Sequence, residues 1–272
     1  GNCLPDYHII RELLDGKISY ISLGGVTSDK KDIDKTDRST AHANLVRKLL
    51  SDKRDFVVCT HGNNSIASII RSRAVTNCLE MDIVVQEASV NIFHPPAENT
   101  GLTLSKALSA MGDRATTVWL DSKNLDKEIN CNVLADEIAE ENNISYFVEF
   151  PPDAINNLNE LSSCMSKLKK RGAFLSYYIP TQLGIECTAS GPYDSPQSFA
   201  CNELEKILVV ASKSGAFSDI SYDYSIASAI SSIRVASTLM HNVWHIDDYQ
   251  VEKLSKGKYR LILPNYNDPN FQ

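Results

Sequence analysis

The residues best equipped for chemistry fall in two short clusters, Glu80-Met-Asp82 and Asp121-Ser-Lys123, each set in or at the end of an apolar run, with His61 before the first and His94 after it. Alternate residues of a strand point to one face, so Glu80 and Asp82 project together, as do Asp121 and Lys123. Three carboxylates, one ammonium and two imidazoles from four segments could therefore meet at one rim. Carboxylates are costly to bury unless they are paired or hold a cation. Three of them with water suit magnesium or calcium better than zinc. Two imidazoles beside such a cation offer a general base and a general acid near neutral pH, and Lys123 can neutralise a phosphate oxygen. The set could hold a divalent cation and move protons around a phosphodiester. Trp244 reads first as core packing, although an indole at a rim also covers an apolar or choline-like group. His8 and His42 are weaker candidates, and His241 and His245 read as structural residues bordering a strand.

Such residues need a scaffold that brings strand ends together. Short apolar strands are expected over residues 56–60, 79–85, 90–93, 118–121, 144–150, 173–179, 217–222, 242–246 and 259–263. Helices are expected over residues 65–76, 103–111, 133–141, 154–170, 198–214, 226–240 and 249–255, and Ser39 or Thr40 can cap a further helix through Leu50. This alternation means βα units and a parallel sheet. About eight units suggest a (β/α)8 TIM-type barrel, fewer a doubly wound sheet. Barrel active sites lie at the C-terminal ends of the strands. His61, Glu80 with Asp82, His94, and Asp121 with Lys123 all fall at or just beyond an expected strand. Residues 1–40 read as a short N-terminal extension: an amphipathic helix over 7–14 stopped by Gly16, an extended segment over 18–23 and a mixed-charge linker over 28–40. The barrel then takes residues 41–272. The loops over 95–101 and 178–196 carry no readable code.

Composition narrows the function classes. At 272 residues and 43% hydrophobic, the chain can bury a full core. A net charge of −7 argues against a broad nucleic-acid surface, yet leaves room for a small anionic substrate, since a metal inverts the local sign. Seven cysteines include no CxxC pair, which disfavours structural zinc. Their odd number means that not all can pair within the chain. Cys59 and Cys78, in apolar runs, read as buried thiols. No apolar run reaches the length of a membrane span, the first residues show no signal-peptide pattern, and the compartment stays open. The phosphate loop, the dinucleotide fingerprint, the serine elbow and the His-Glu-x-x-His motif are all missing, which makes kinases, dinucleotide oxidoreductases and serine hydrolases poor readings.

In order and spacing, His61, Glu80-x-Asp82, His94 and Asp121-x-Lys123 resemble the glycerophosphodiester phosphodiesterase-like branch of the phospholipase C-type barrels, over roughly residues 41–264. The stretches beginning at Asn242 and Tyr259 resemble that branch's last two strands. Within it, His61-Gly-Asn-Asn-Ser65, His94-Pro-Pro96 and Leu120-Asp-Ser-Lys123 are most similar to the menorin family. Gly62 stands where typical glycerophosphodiesterases carry an Arg, and the segment around Glu149 departs from menorin's fourth strand. The resemblance implies metal ligation by Glu80, Asp82 and Asp121, catalysis by His61, His94 and Lys123, and substrate contacts from Asn64 and Trp244. The expected activity is metal-dependent hydrolysis or transfer on a glycerophosphodiester- or phospholipid-like substrate. The alternative is a menorin-like binding or adhesion module, with a protein partner, that keeps the pocket without using it. The resemblance leans towards an extracellular or secretory setting.

Overall fold

The structure is a computed structural model that describes residues 57–74, 76–113, 115–139, 142–188, 195–213, 215–246 and 259–264. The N-terminal extension and the helices expected over 39–50 and 249–255 lie outside the described residues. Nine strands are present there: β1 (Val57–Thr60), β2 (Cys78–Gln86), β3 (Ser89–Ile92), β4 (Thr117–Ser122), β5 (Ser145–Phe150), β6 (Phe174–Tyr178), β7 (Asp219–Asp223), β8 (Met240–Ile246) and β9 (Tyr259–Pro264). All nine coincide with expected strands.

Eight of them run parallel and close on themselves in the order β1-β2-β4-β5-β6-β7-β8-β9, with β9 returning to β1. The fold is a (β/α)8 barrel. The ninth strand, β3, pairs antiparallel with β2 through a two-residue turn at Glu87 and Ala88, both with positive φ, as a tight hairpin requires.

The helices between the strands are α1 (Ile66–Ser72), α2 (Leu104–Met111), α3 (Glu128–Glu137), α4 (Leu158–Lys170), α5 (Thr181–Thr188), α6 (Ser195–Lys213) and α7 (Ala227–Ser231). Helix α5 falls inside the stretch read as a codeless loop. The single helix expected over 226–240 is instead α7 flanked by 3-10 turns at Tyr224–Ile226 and Arg234–Thr238. Ser231, Ser232, Ser237 and Thr238 each donate to a backbone carbonyl three residues back. Such bonds compete with helix propagation.

The period-two alternation of the strands divides the core in two. Leu79, Met81, Val118, Leu120, Val148, Leu175 and Ile220 face outward and pack with the helices. Cys59, Cys78, Trp119, Phe147, Trp244, Leu261 and Leu263 fill the barrel interior. Near the strand starts a polar network closes that interior. Arg260 Nε donates to Asp219 Oδ2 at 2.8 Å, Asn242 Nδ2 donates to the same oxygen at 3.1 Å and to Ser176 Oγ at 3.0 Å, and the guanidinium lies 3.9 Å from the Phe174 ring centre.

The thiol reading of Cys59 and Cys78 is corrected: they form a disulfide. They are direct partners in the β1–β2 register, which puts both side chains on the inner face at a Cα separation of 4.6 Å, within bridging range. Cys131 bridges to Cys164, joining α3 to α4, and Cys187 bridges to Cys201, joining α5 to α6.

Candidate active site

The same alternation that places Cys78 and Trp119 inside the barrel turns polar one step further along each strand. Glu80 and Asp82 on β2, Asp121 on β4 and Glu149 on β5 replace hydrophobic residues on the inner face towards the C-terminal ends. The register sets Asp82 opposite Asp121, and Asp121 opposite Glu149. Ligand oxygens of Glu80, Asp82 and Asp121 lie within 4.8 Å of one another.

Each carboxylate has different company. Glu80 is fully buried; its Oε2 accepts the Gly62 backbone N–H at 2.6 Å, and its Oε1 has no hydrogen-bond partner. Gly62 adopts φ +68 with open space around its Cα. The left-handed turn, not crowding, is what requires glycine there, and that turn aims the N–H at Glu80. Asp82 receives Asn64 Nδ2 at 2.7 Å, while Asn64 Oδ1 accepts the Asp82 backbone N–H at 3.0 Å. Lys123 Nζ bridges the other two acids, 2.6 Å from Asp121 Oδ2 and 2.9 Å from Asp82 Oδ1.

These surroundings pull the acids apart electrostatically. Burial, then the neighbouring Asp82 and Asp121, push the Glu80 carboxyl well above the usual range. Burial and the charge of Asp121 do the same to Glu149, against hydrogen bonds from Trp244 and Ser221. Asp121 is also raised, burial outweighing Lys123. Burial would raise Asp82 too, but Lys123 and the Asn64 bond prevail and hold it below its ordinary value. Lys123 is raised, because the two carboxylates outweigh its desolvation. Burial lowers His61 to about 3, against the pull of Asp82. His61 is thus a neutral imidazole at physiological pH.

The side chains surround a cavity of about 480 Å³ lined by His61, Asp82, His94, Asp121, Lys123, Glu149, Tyr178, Trp244 and His245, with Ser122, Pro151 and Pro152. His61 Nε2 lies 3.8 Å from Glu80 Oε2, and its ring meets Trp244 edge-on at 5.3 Å between centres. His94 is exposed at the rim, with Nδ1 donating to the Pro95 carbonyl at 2.6 Å, which leaves Nε2 for the cavity. Trp244 is buried and lines the cavity, its Nε1 donating to Glu149 Oε1 at 2.8 Å. Burial pushes the Tyr178 hydroxyl up to about 12.

Six of the eight residues expected from the sequence line this cavity, His61, Asp82, His94, Asp121, Lys123 and Trp244, and Glu80 lies fully buried beside Asp82 and Asp121. Asn64 is at the site but not on the cavity wall; both ends of its amide are engaged with Asp82, so it orients a carboxylate. Three residues escaped the sequence reading. Glu149 is a lone acid in the apolar run Tyr146-Phe-Val-Glu-Phe150, the same signal that singled out Glu80. Tyr178 carried none. His245, read as structural, lines the cavity with Nδ1 donating to Asp223 Oδ2 at 2.6 Å. His241 does fit the structural reading, buried between the Tyr222 hydroxyl and the Ala236 carbonyl.

The donor set suits a hard divalent cation: three carboxyl groups converge, and one of them keeps an orphaned buried oxygen. No family model matches the chain, and no curated protein matches it in sequence. Among solved structures it is similar to a phosphodiesterase of Oleispira antarctica in complex with the product sn-glycerol-3-phosphate, at 10% identity and a TM-score of 0.47, over 81% of this chain and 94% of that one.

Proposed function

We propose that the protein is a metal-dependent phosphodiesterase of the glycerophosphodiester phosphodiesterase-like kind, with a glycerophosphodiester- or phospholipid-like substrate. The observation that carries this reading is the meeting of Glu80, Asp82 and Asp121 at the strand ends with Glu80 Oε1 left unpartnered. These three residues would hold magnesium or calcium, and a cation bound there supplies Lewis-acid polarisation of a non-bridging phosphate oxygen. Neutral His61 accepts the proton of the attacking hydroxyl, whether of water or of the substrate itself, the second case giving a cyclic phosphate. His94 is the rim imidazole that exchanges protons with the substrate. Lys123 offsets charge as the phosphoryl group becomes more negative in the transition state. Asn64 keeps Asp82 aimed, and Trp244 forms the cavity wall. The substrate is a small phosphodiester or a lipid headgroup, in keeping with a cavity of about 480 Å³ rather than an extended nucleic-acid surface. No helix among the described residues is long and apolar enough to cross a membrane. The three disulfides favour an oxidising compartment.

A second reading, a menorin-like binding module for a protein partner, is favoured by one observation: Lys123 already bridges Asp82 and Asp121, so an ammonium can satisfy two of the three acids without a metal. Calorimetry separates the two. The enzyme reading expects magnesium or calcium binding that is lost in Asp82→Ala, and turnover of a glycerophosphodiester panel that is lost in His61→Ala with the fold retained. Wild-type protein that binds neither cation and turns over nothing would leave the binding module.

A further inference from the structure

The cavity has two walls. In barrel order β7 stands across from β2, and β8 across from β4, so the ends of β7 and β8 face the carboxylates over the mouth. There Asp223, the last residue of β7, meets His245, near the end of β8. The proposed function leaves both unused.

His245 reaches the cavity only because β8 departs from regular strand geometry. Val243 packs with the outer core and Trp244 with the inner one, so strict alternation would send His245 outward. Instead Ile246 takes the outward place. The three steps from Val243 to Ile246 oppose only two on β9, from Ile262 to Pro264, the signature of a bulge with one extra residue. The extra residue is His245, at φ +55. Outside the β2–β3 turn it is the one non-glycine residue with positive φ among those described. Left-handed backbone at a histidine is unfavourable, and such conformations concentrate where a side chain is re-aimed for use.

The ring so turned is also anchored. A carboxylate only accepts, so the 2.6 Å contact with Asp223 Oδ2 places the proton on His245 Nδ1 and leaves Nε2 as the exchanging nitrogen. Asp223 is fixed in turn: its Oδ1 accepts the Ser225 N–H at 2.9 Å. Although burial raises its carboxyl, the bonds from His245 and Ser225 hold it below the usual range, keeping it an anion. The His245 ring meets that of His61 edge-on at 5.7 Å between centres, so both imidazoles reach one phosphoryl-sized volume.

We propose that Asp223 and His245 form a second acid–base pair that serves the leaving-group side of the phosphodiester, His245 Nε2 giving its proton to the departing alcohol. The inference rests on the phosphodiesterase reading. In the step, the bond from the attacking oxygen to phosphorus forms as that oxygen's proton passes to His61. The ester P–O bond breaks, its electron pair stays on the leaving oxygen, and the proton from protonated His245 completes the alcohol. The resulting neutral ring recovers a proton from solvent, and Asp223 holds Nδ1–H throughout.

Leaving-group dependence tests this, since 4-nitrophenolate departs without protonation while an alkoxide does not. Among side-chain-bearing replacements, His245→Asn suits the left-handed backbone well. With magnesium present, it should slow glycerophosphocholine hydrolysis by about 100-fold or more, yet leave bis(4-nitrophenyl) phosphate within about threefold of wild type. Asp223→Asn should give the same pattern with a smaller loss. Equal losses on both substrates, or none, would overturn the pair while the phosphodiesterase reading stands. Wild-type protein inactive on both would overturn that reading and the pair with it. A readout without turnover is the nitrogen NMR of histidine-labelled protein. The His245 signals should report proton occupancy at Nδ1 in wild type, mixed tautomers in Asp223→Asn, and a shift at Nε2 with inorganic phosphate. An unanchored ring, or no response to phosphate, would overturn the pair whichever substrates turn over.

Discussion

Asp219 near the strand starts and Glu80 near the strand ends are both fully buried on the inner face of the same barrel, yet they are treated in opposite ways. Asp219 is surrounded by donors: Arg260 and Asn242 reach Oδ2, and Ser218 reaches Oδ1 at 2.6 Å. Glu80 receives one backbone N–H, leaves an oxygen unpartnered and has two further acids for neighbours. A buried charge with matched partners serves the fold, because removing a partner is what costs. A buried charge left short of donors is a liability to the free protein and an asset only when something arrives to complete it. The closed end of the barrel is finished by its own side chains; the open end keeps a buried carboxylate oxygen without a hydrogen-bond partner.

The largest test of this contrast exchanges the two ends. Asp82→Asn should cut kcat/KM for a phosphodiester by about 1000-fold or more, by removing a cation ligand and a partner of Lys123, while the melting temperature stays near that of wild type. Asp219→Asn should leave kcat/KM within a few-fold. Comparable losses of turnover from both variants would mean that the ends are not functionally distinct. The next largest effect concerns stability. Arg260→Met removes the cation from Asp219 and should destabilise the protein by roughly 2–4 kcal/mol, at the low side for a buried pair because Arg260 keeps partial solvent contact. Urea unfolding measures it, and a loss below about 0.5 kcal/mol, typical of a surface pair, would erase the structural role assigned to the closed end.

Much of this contrast could be read from the chain, and the exceptions have local causes. The period-two strands, the acids that interrupt them and the alternation with helices were sufficient for the barrel and for the convergence of Glu80, Asp82 and Asp121, because burial punishes an unexplained carboxylate wherever it occurs in an apolar run. The register was not legible, so neither was the Cys59–Cys78 bridge, which depends on β1 and β2 being neighbours in the closed sheet. The place of His245 on the cavity wall was not legible, because alternation puts it on the outer face and only a bulge, which has no local signature in Val-Trp-His-Ile, brings it inside. Helix α5 begins at Thr181 directly after Pro180 and was hidden by the turn-like residues around it. The paired bonds between Asn64 and Asp82 join β2 to the loop after β1, and that long-range contact has no signal in the local sequence.

The smallest effect is the sharpest in sign. Glu80 has a raised folded-state value, against 4.5 when unperturbed. Well below 4.5 both folded and unfolded chains carry the proton, and the group adds no pH dependence. As pH rises through that value the unfolded chain ionises first, so folding loses stability progressively until the folded carboxyl also ionises, after which the deficit is constant. Other groups titrate alongside: Asp121 and Glu149 act in the same direction, whereas His61, held down to about 3, costs stability as pH falls below 6.5. The difference between Glu80→Gln and wild type isolates the one group. Without divalent cation, Glu80→Gln should be nearly as stable as wild type at pH 4.5 and about 1 kcal/mol more stable at pH 8, the gain expected from relieving one poorly satisfied buried carboxylate. Saturating magnesium should reverse the order at pH 8, because wild type gains binding free energy that the variant has lost. Paired melting curves at the two pH values, with and without magnesium, decide the matter. If Glu80→Gln were less stable than wild type at pH 8 in the absence of metal, Glu80 would be a satisfied structural acid like Asp219, and the open end of the barrel would differ from the closed end in position alone.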